Sequence, residues 1–393
     1  MAGRGARGLL GIVVHGGEGP LDALGVSTDA ALTPFAASYR FVDLARATFA
    51  NSGISCPGET RAATRGPRAV PPPPVRGGRA ARVLEALRRL SSGSRVGADT
   101  VAVLSADHVL QVDLREVHAA HRDLGADVTL LGLPIPFGER APRTMLLSAR
   151  DRTVVEVQRS TASTVANLSW AGDLLVSARA LPALQAVLSA DVPRDDTGLL
   201  GRLAETLRVV AYDVVDGSIP GVEHAHGAYW HEPTSVEAYY GAQMELCGGA
   251  PGLDLFNAAW PLPAAPSPFG PSKVALDEAG RPGQTISCLV ADGTLVRGAT
   301  VANSVIGHGV VIESGAEVQD CVLMDGCYVG RCARVRRAVI GAGAIVPDGV
   351  EIGFGVTPPW AQERPSGLTL VADRDSSLRI ESPSRHESSA LGA

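Results

Sequence analysis

Short apolar runs alternate with stretches of helical spacing along residues 9–246. The apolar runs predict buried strands at 9–14, 101–104, 128–133 and 209–215. Apolar residues three and four positions apart predict helices at 40–51, 114–124, 181–188, 199–207 and 235–246. Because strand and helix signals alternate, we expect an α/β domain with a mostly parallel sheet. In such sheets ligands bind beyond the carboxyl ends of the strands.

A different pattern follows in the C-terminal part, where aliphatic residues recur in steps of six or five and several are followed by glycine. The recurring positions are Leu295, Val301, Ile306, Ile312, Val318, Met324, Val329, Val335, Ile340, Val346 and Ile352. This period is typical of the hexapeptide repeat of a parallel β-helix, in which each aliphatic side chain points inward. The length of the repeat predicts three stacked coils.

Three of the six cysteines, Cys321, Cys327 and Cys332, follow the repeat in its own register, which predicts stacked small residues. No two cysteines form a CxxC pair, so neither a zinc site nor a disulfide framework is indicated. His308 also lies in the repeat. It is a candidate acyltransferase base, but a lone histidine is more often structural.

Segments without either period separate these parts. Residues 57–79 contain four consecutive prolines and predict a polyproline-like loop, and residues 251–282 are rich in proline, as an interdomain connection is. The tail from residue 376 carries serine and glutamate and is predicted to be mobile.

Composition narrows the function. A chain of 393 residues favours two domains. The formal net charge of −6 argues against nucleic-acid binding, which needs clustered positive charge. No apolar run approaches the roughly 20 residues of a membrane helix, so we expect a cytoplasmic protein without a membrane partner. Lys273 is the one lysine, and arginine supplies the other cations.

A glycine-rich stretch after the first predicted strand contains Gly16, Gly17 and Gly19. Glycines at such a turn let backbone N–H groups approach a phosphate, and the following helix N-terminus favours an anion. The same kind of turn is also common in α/β folds for structural reasons alone.

The order of several motifs resembles that of the glucose-1-phosphate adenylyltransferase (ADP-glucose pyrophosphorylase) family over about residues 9–355. The motifs are HGGEG at 15–19, YRFVD at 39–43, NSGI at 51–54, ADH at 106–108, YD at 212–213, YW at 229–230, and DLFN at 254–257 before WP at 260–261. The resemblance implies a Rossmann-like nucleotidyltransferase domain followed by a left-handed parallel β-helix. It divides the chain into the α/β domain (1–250), a Pro-rich linker (251–285), the β-helix (286–356) and a partly disordered extension (357–393).

The resemblance also implies site residues. Gly16, Gly17 and Gly19 correspond to the nucleotide-binding turn, and the sugar-phosphate segment corresponds to Arg159 and Ser160. Asp107 and Glu232 match the two carboxylates that hold Mg²⁺ between phosphate oxygens. The alternative for Asp107 is a cap on the loop that enters the next helix.

Several family residues that stabilise charge in phosphoryl transfer have no counterpart. The family's arginine after the glycine turn falls at Pro20 or Leu21, and its lysine falls at Ala30. The span between Ile54 and Asp107 is shorter than in the family, and Gly78-Arg79-Ala80-Ala81 is all that resembles the family's Gly-Thr-Ala-Asp-Ala segment.

Two functions therefore compete. The favoured one is a catalytically impaired relative in ADP-glucose and glycogen metabolism, acting as a regulatory or non-catalytic subunit, with no cofactor. The alternative is an active nucleotidyltransferase that makes ADP-glucose or another nucleotide sugar with Mg²⁺. Both imply a sugar phosphate or a nucleotide as ligand, and the resemblance implies a homo-oligomer or a hetero-oligomer with a catalytic paralogue.

Overall fold

The structure is a computed structural model that describes residues 8–14, 30–56, 78–93, 98–134, 144–159, 166–189, 195–222, 229–263, 265–355 and 357–372. Within these ranges, six α-helices precede the β-helix: α1 (Phe41–Asn51), α2 (Arg79–Gly93), α3 (Leu114–Asp123), α4 (Leu181–Ser189), α5 (Asp196–Thr206) and α6 (Val236–Leu246). The strands among them are β1 (Leu9–Val14), β2 (Pro34–Phe35), β3 (Tyr39–Arg40), β4 (Thr100–Ser105), β5 (Val109–Leu110), β6 (Val128–Pro134), β7 (Thr144–Ser148), β8 (Val154–Arg159), β9 (Leu168–Ser177), β10 (Val209–Asp213) and β11 (Trp230–His231).

The main sheet of the first domain has seven strands and runs in the order β1-β4-β9-β6-β10, with the hairpin β7-β8 attached to β9. Strand β1 pairs parallel with β4, and β6 pairs parallel with β10. Between these pairs, β9 is antiparallel to both of its neighbours. The expected α/β domain is present, but the sheet is mixed and not mostly parallel.

The predicted strands and helices of this domain lie within a few residues of the observed ones. Strand β4 is buried at all six positions, as an apolar run in a covered sheet requires. Helix α3 begins after Asp113, whose side chain accepts from the backbone N–H of Arg115 at 2.9 Å and so caps the helix. The sequence did not predict helix α2, the central strand β9, the hairpin β7-β8 or the short strands β2, β3, β5 and β11.

The C-terminal domain is a left-handed parallel β-helix. Its strands are β12 (Lys273–Ala275), β13 (Gln284–Ile286), β14 (Leu289–Val290), β15 (Leu295–Arg297), β16 (Thr300–Ala302), β17 (Val305–Ile306), β18 (Val311–Ile312), β19 (Glu317–Leu323), β20 (Tyr328–Val329), β21 (Arg334–Ile340), β22 (Ile345–Val346), β23 (Glu351–Ile352), β24 (Ala361–Glu363) and β25 (Thr369–Val371). One face is the five-stranded parallel stack β12-β15-β18-β20-β22.

The hexapeptide repeat predicted from the sequence is confirmed, with corrections to one inward position and to the number of coils. Ten of the eleven predicted inward positions are buried, but Leu295 is only partly buried and Val296 points inward in its place. The face named above has five rungs, so three stacked coils was too few. Because β12 pairs with β15 on this face and β13 pairs with β16 on another, the coil begins within the range 251–285 that was expected to be linker.

The cysteines of the repeat do not behave alike. Cys321 and Cys327 are buried inside the stack, as small inward residues are expected to be. Cys332 is exposed, at a turn where its φ is 54°. The ring of His308 stacks on Phe269 with 5.8 Å between ring centroids, which gives this histidine a packing role.

Helix α6 joins the two domains. One hydrophobic cluster contains Tyr239 of this helix together with Phe41 of α1 and Val318 of the β-helix. The hydroxyl of Tyr240 donates to the carbonyl of Asp320 at 2.9 Å. No helix within the described ranges is both long and apolar enough to cross a membrane.

A buried histidine outside the candidate site predicts acid sensitivity. The Ser177 hydroxyl donates to the Ala126 carbonyl, so it accepts from Nε2 of His121 at 2.9 Å, while Nδ1 of His121 lies 2.8 Å from Thr129 Oγ1. The neutral imidazole satisfies both contacts, and burial lowers the pKa of His121 to about 4.

The unfolded chain takes up this proton near pH 6.5 and the folded chain only near pH 4, so stability falls as pH drops through that window. We expect the loss to reach about 3 kcal/mol in wild type and to be absent from this source in His121→Gln. Urea unfolding at pH 7, 5.5 and 4.5 measures it. Parallel pH dependence in the two proteins would contradict the assignment.

Candidate functional site

Two carboxylates singled out in the sequence meet at one end of the main sheet. Asp107 lies two residues after the end of β4, and Glu232 directly follows β11. Strand β11 pairs antiparallel with β5, which begins two residues after Asp107, and this pairing brings Glu232 back beside the end of β4. The structure therefore places the two predicted metal ligands together.

A guanidinium group connects these carboxylates. Arg79, the first residue of α2, donates from Nε to Oδ2 of Asp107 at 3.0 Å, and its Nη2 lies 2.9 Å from Oδ1 of the same carboxylate. Nη2 also donates to Oε1 of Glu232 at 2.7 Å. The Arg79 side chain is only 4% exposed, so this is a buried, charge-assisted bridge with a two-point contact on Asp107.

The surrounding backbone leaves room for Arg79. Gly172 in β9 has a φ of 109°, and a Cβ at this position would lie 2.6 Å from Nη1 of Arg79. At the helix start, the Ala80 N–H donates to Oδ1 of Asp196 at 2.7 Å, and a Cβ on Gly78 would lie 2.3 Å from that same oxygen. The first turn of α2 is thus held against α5, and the guanidinium occupies a space that only glycine leaves open.

Further charged groups complete the cluster. Arg82 donates to Oδ2 of Asp107 at 3.0 Å. The two ring nitrogens of His108 contact different carboxylates: Nδ1 lies 3.0 Å from Oδ1 of Asp107, and Nε2 lies 2.8 Å from Oδ2 of Asp173. Asp173 is fully buried, and its Oδ1 accepts from the Ser105 N–H at 2.7 Å.

The pKa values follow from this arrangement. Burial alone would raise the pKa of Asp107, but Arg79, His108 and Arg82 outweigh burial and hold it far below the usual range. Burial alone would lower the pKa of His108, but the charge of Asp173 and hydrogen bonds to both aspartates raise it above 6.5. With His108 protonated, the three cations Arg79, Arg82 and His108 balance the three carboxylates Asp107, Asp173 and Glu232.

The carboxylates do not fit a divalent metal as they are arranged. Mg²⁺ bound through two carboxylates needs an oxygen of each to face the ion at about 2.0–2.1 Å. Here both carboxylate oxygens of Asp107 and Oε1 of Glu232 contact the Arg79 guanidinium. Within the described ranges, no group of three or more metal-ligating side chains is found.

The other residues that the sequence singled out are not among the residues described above around Asp107 and Glu232. Ala30, at the place of the family's lysine, is 1% exposed in a short 3₁₀ helix (Ala30–Leu32), so this position carries a buried, uncharged side chain. Arg159 forms an ion pair with Asp195 and is 74% exposed. Six of these residues lie outside the described ranges: Gly16, Gly17, Gly19, Pro20, Leu21 and Ser160.

Sequence reasoning missed most of the charged residues that surround Asp107. Arg79 appeared only as part of a weak match to the Gly-Thr-Ala-Asp-Ala segment, and Arg82 and Asp173 were not considered. A signal was present: an arginine stands where that segment has threonine, directly at the start of a helix whose apolar residues Ala80, Val83, Leu84 and Leu87 keep helical spacing.

A cavity of about 460 Å³ lies away from these carboxylates. Its lining includes Thr100, which stands at the opposite end of β4 from Ser105, and Ser177, the last residue of β9. It is therefore separate from the candidate site.

Comparisons with known proteins agree with the fold and the motifs. Residues 270–362 match a family model described as GlmU-like, C-terminal hexapeptide. The glucose-1-phosphate adenylyltransferase of Geobacter metallireducens is 30% identical over 295 residues, covering 73% of this chain and 70% of that protein. The protein of the same name from Frankia casuarinae is 30% identical over 275 residues, and the chain spans 65% of its length. A third, from Anaeromyxobacter sp., is 26% identical over 393 residues, with 88% and 93% coverage.

Proposed function

Because the chain belongs to the glucose-1-phosphate adenylyltransferase family, we propose that it is a catalytically impaired member that acts as a regulatory or non-catalytic subunit in ADP-glucose metabolism. Its ligands are a sugar phosphate, a nucleotide or both, and its partner is a catalytic paralogue or a second copy of itself. The Gly16, Gly17 and Gly19 turn and the Arg159–Ser160 segment remain its predicted nucleotide and sugar-phosphate contacts.

One observation carries this proposal: the buried Arg79 bridge between Asp107 and Glu232. Transfer of a nucleotidyl group places negative charge on phosphate oxygens, which positive groups or a metal must stabilise in the transition state. In this chain the described cations nearest the two carboxylates are already paired with them. The carboxylates cannot hold a metal without first losing Arg79.

The residue at the position of the family's lysine supports the same conclusion. The resemblance assigns a lysine to the position of Ala30, and that position is a buried methyl group in this chain. A methyl group supplies no charge and no hydrogen bond to a phosphate. Loss of a single transition-state donor commonly lowers the rate by about 10²- to 10³-fold.

One observation favours the alternative of an active enzyme. Arg79 and Arg82 bring two guanidinium groups to the end of β4, where a nucleotide phosphate would approach. If both exchanged their carboxylate partners for phosphate oxygens, they would supply the charge that Ala30 lacks. The buried geometry of Arg79 and its close seat beside Gly172 argue against such an exchange.

An assay separates the two functions. The full chain is incubated with ATP, glucose 1-phosphate and Mg²⁺, and pyrophosphate release is measured, with the Geobacter metallireducens relative under the same conditions for comparison. We expect the chain alone to be at least about 100-fold slower than the relative. We expect addition of the chain to a catalytic paralogue to change the rate or the effector response of that paralogue. Turnover by the chain alone at a rate similar to that of the relative would refute the proposal.

A further inference from the structure

We propose that the Arg79 guanidinium takes the place of a divalent metal between Asp107 and Glu232, so that this site binds no metal. Removal of the Arg79 guanidinium would then create a metal site. This inference deepens the proposed function and rests on it for the identity of the cleft. It concerns the charge that the cleft itself contains and does not depend on whether the chain has a catalytic partner.

The charges at the site indicate that Arg79 replaces a metal ion and does not act alongside one. Two carboxylates brought together in a buried site repel each other unless a positive charge lies between them. A divalent ion with its waters is one solution to this requirement. Here a single guanidinium contacts both carboxylates, and Arg82 and His108 supply the remaining positive charge.

The geometry shows that Arg79 is fixed in this role. Its helix begins against Asp196, and the helix buries Ala80, Val83 and Leu84 against the main sheet. Gly172 provides the space for Nη1 at a φ that other residues rarely adopt. A mobile arginine that moved aside for a metal would leave this space and lose three hydrogen-bond contacts at 2.7–3.0 Å.

Removal of the guanidinium takes away the cation that contacts both carboxylates. Mg²⁺ and Mn²⁺ often bind through one or two carboxylates while keeping several waters. Asp107 and Glu232 then have the oxygens and the charge for such an ion, and the ion relieves the repulsion that Arg79 had neutralised. Arg79→Ala is therefore expected to gain a divalent site that the wild-type cluster lacks.

The test uses Mn²⁺ as the probe and the full chain. Binding is followed by electron paramagnetic resonance of free Mn²⁺ and by the shift in Tm with added metal. We expect Arg79→Ala to bind one Mn²⁺ at least about tenfold more tightly than wild type. Adding Asp107→Asn to Arg79→Ala should abolish the gain. Arg79→Lys, which keeps a positive charge in the cluster, should not bind more tightly than wild type.

Arg79→Met keeps much of the side-chain volume without the charge, and it decides the question if Arg79→Ala fails to fold. If both variants fail to fold, Mn²⁺ binding is compared between wild type and the single variant Asp107→Asn. The inference predicts that the two bind Mn²⁺ equally. Wild-type binding that Asp107→Asn removes would overturn the inference, as would a folded Arg79→Ala or Arg79→Met without a gain. Pyrophosphate release with EDTA present would count against the proposed function while leaving this inference intact.

Discussion

Asp173→Ala is expected to destabilise the fold by about 3 kcal/mol, because breaking one partner of a buried charged pair leaves the other uncompensated. Asp173 is fully buried and accepts from the Ser105 N–H and from the His108 ring. Without it, a buried backbone donor and a buried imidazolium both lose their acceptor. Urea unfolding at pH 6 measures the change.

Two comparisons make this result specific. Asp216→Ala removes a carboxylate from an exposed ion pair with Arg152, and it should cost less than about 1 kcal/mol. The second comparison is pH. The raised pKa of His108 means that its protonated form stabilises wild type below pH 6.5, and that this contribution is lost as pH rises through the folded-state pKa. The cost of Asp173→Ala should therefore shrink at alkaline pH, and a cost that is equal for both aspartates or independent of pH would contradict the assignment.

Gly172→Ala is expected to cost about 2–5 kcal/mol, since it combines a strained backbone with overpacking. Its φ of 109° is one that alanine rarely adopts, and the new Cβ would lie 2.6 Å from Nη1 of Arg79. Either the helix start or the guanidinium has to move. Urea unfolding again provides the measurement.

A double-mutant cycle isolates the contribution of Arg79. In the Arg79→Ala background the contact with Nη1 is gone and only the backbone strain remains, so Gly172→Ala should cost about 1–3 kcal/mol less there than in wild type. Gly201→Ala in α5 is the matched control, because nothing lies within 4 Å of its new Cβ. That control should be neutral or slightly stabilising. Additive costs of Gly172→Ala and Arg79→Ala would show that the glycine does not seat the guanidinium.

Local periodicity explains why much of the fold was predictable. Inward positions such as Val329, Val346 and Ile352 recur because each short side of a coil must place one side chain in a narrow interior, so the spacing is visible in the sequence. The buried strands β1 and β4 were likewise visible as apolar runs. The hairpin β7-β8 was not, because β8 is largely exposed and carries mixed residues without a clear alternation.

The candidate site was predictable only in part, because its character depends on contacts across long stretches of chain. The motifs identified Asp107 and Glu232 one at a time. Arg79 stands 28 residues before the first and 153 before the second, and nothing local to the sequence says that its guanidinium lies between them. From the sequence alone, an arginine at the start of a helix is expected to be exposed to solvent. Only the three-dimensional structure shows its contacts with two carboxylates.

The missing counterparts of the family's arginine and lysine do not leave the site without cations. Guanidinium groups are present near the end of β4, but they form ion pairs with carboxylates of the same site. Under the proposed function, the uncharged Ala30 and the Arg79 bridge between Asp107 and Glu232 act in the same direction, because the first supplies no charge to a transferring phosphate and the second takes the place of a metal that would supply it.

A crystal of the full chain soaked with Mn²⁺ and ATP tests this account most directly, because Mn²⁺ is located by its anomalous scattering. The account predicts no anomalous peak between Asp107 and Glu232, with the Arg79 guanidinium still bridging them. A Mn²⁺ ion bound by both carboxylates, with Arg79 displaced onto the phosphates, would contradict it.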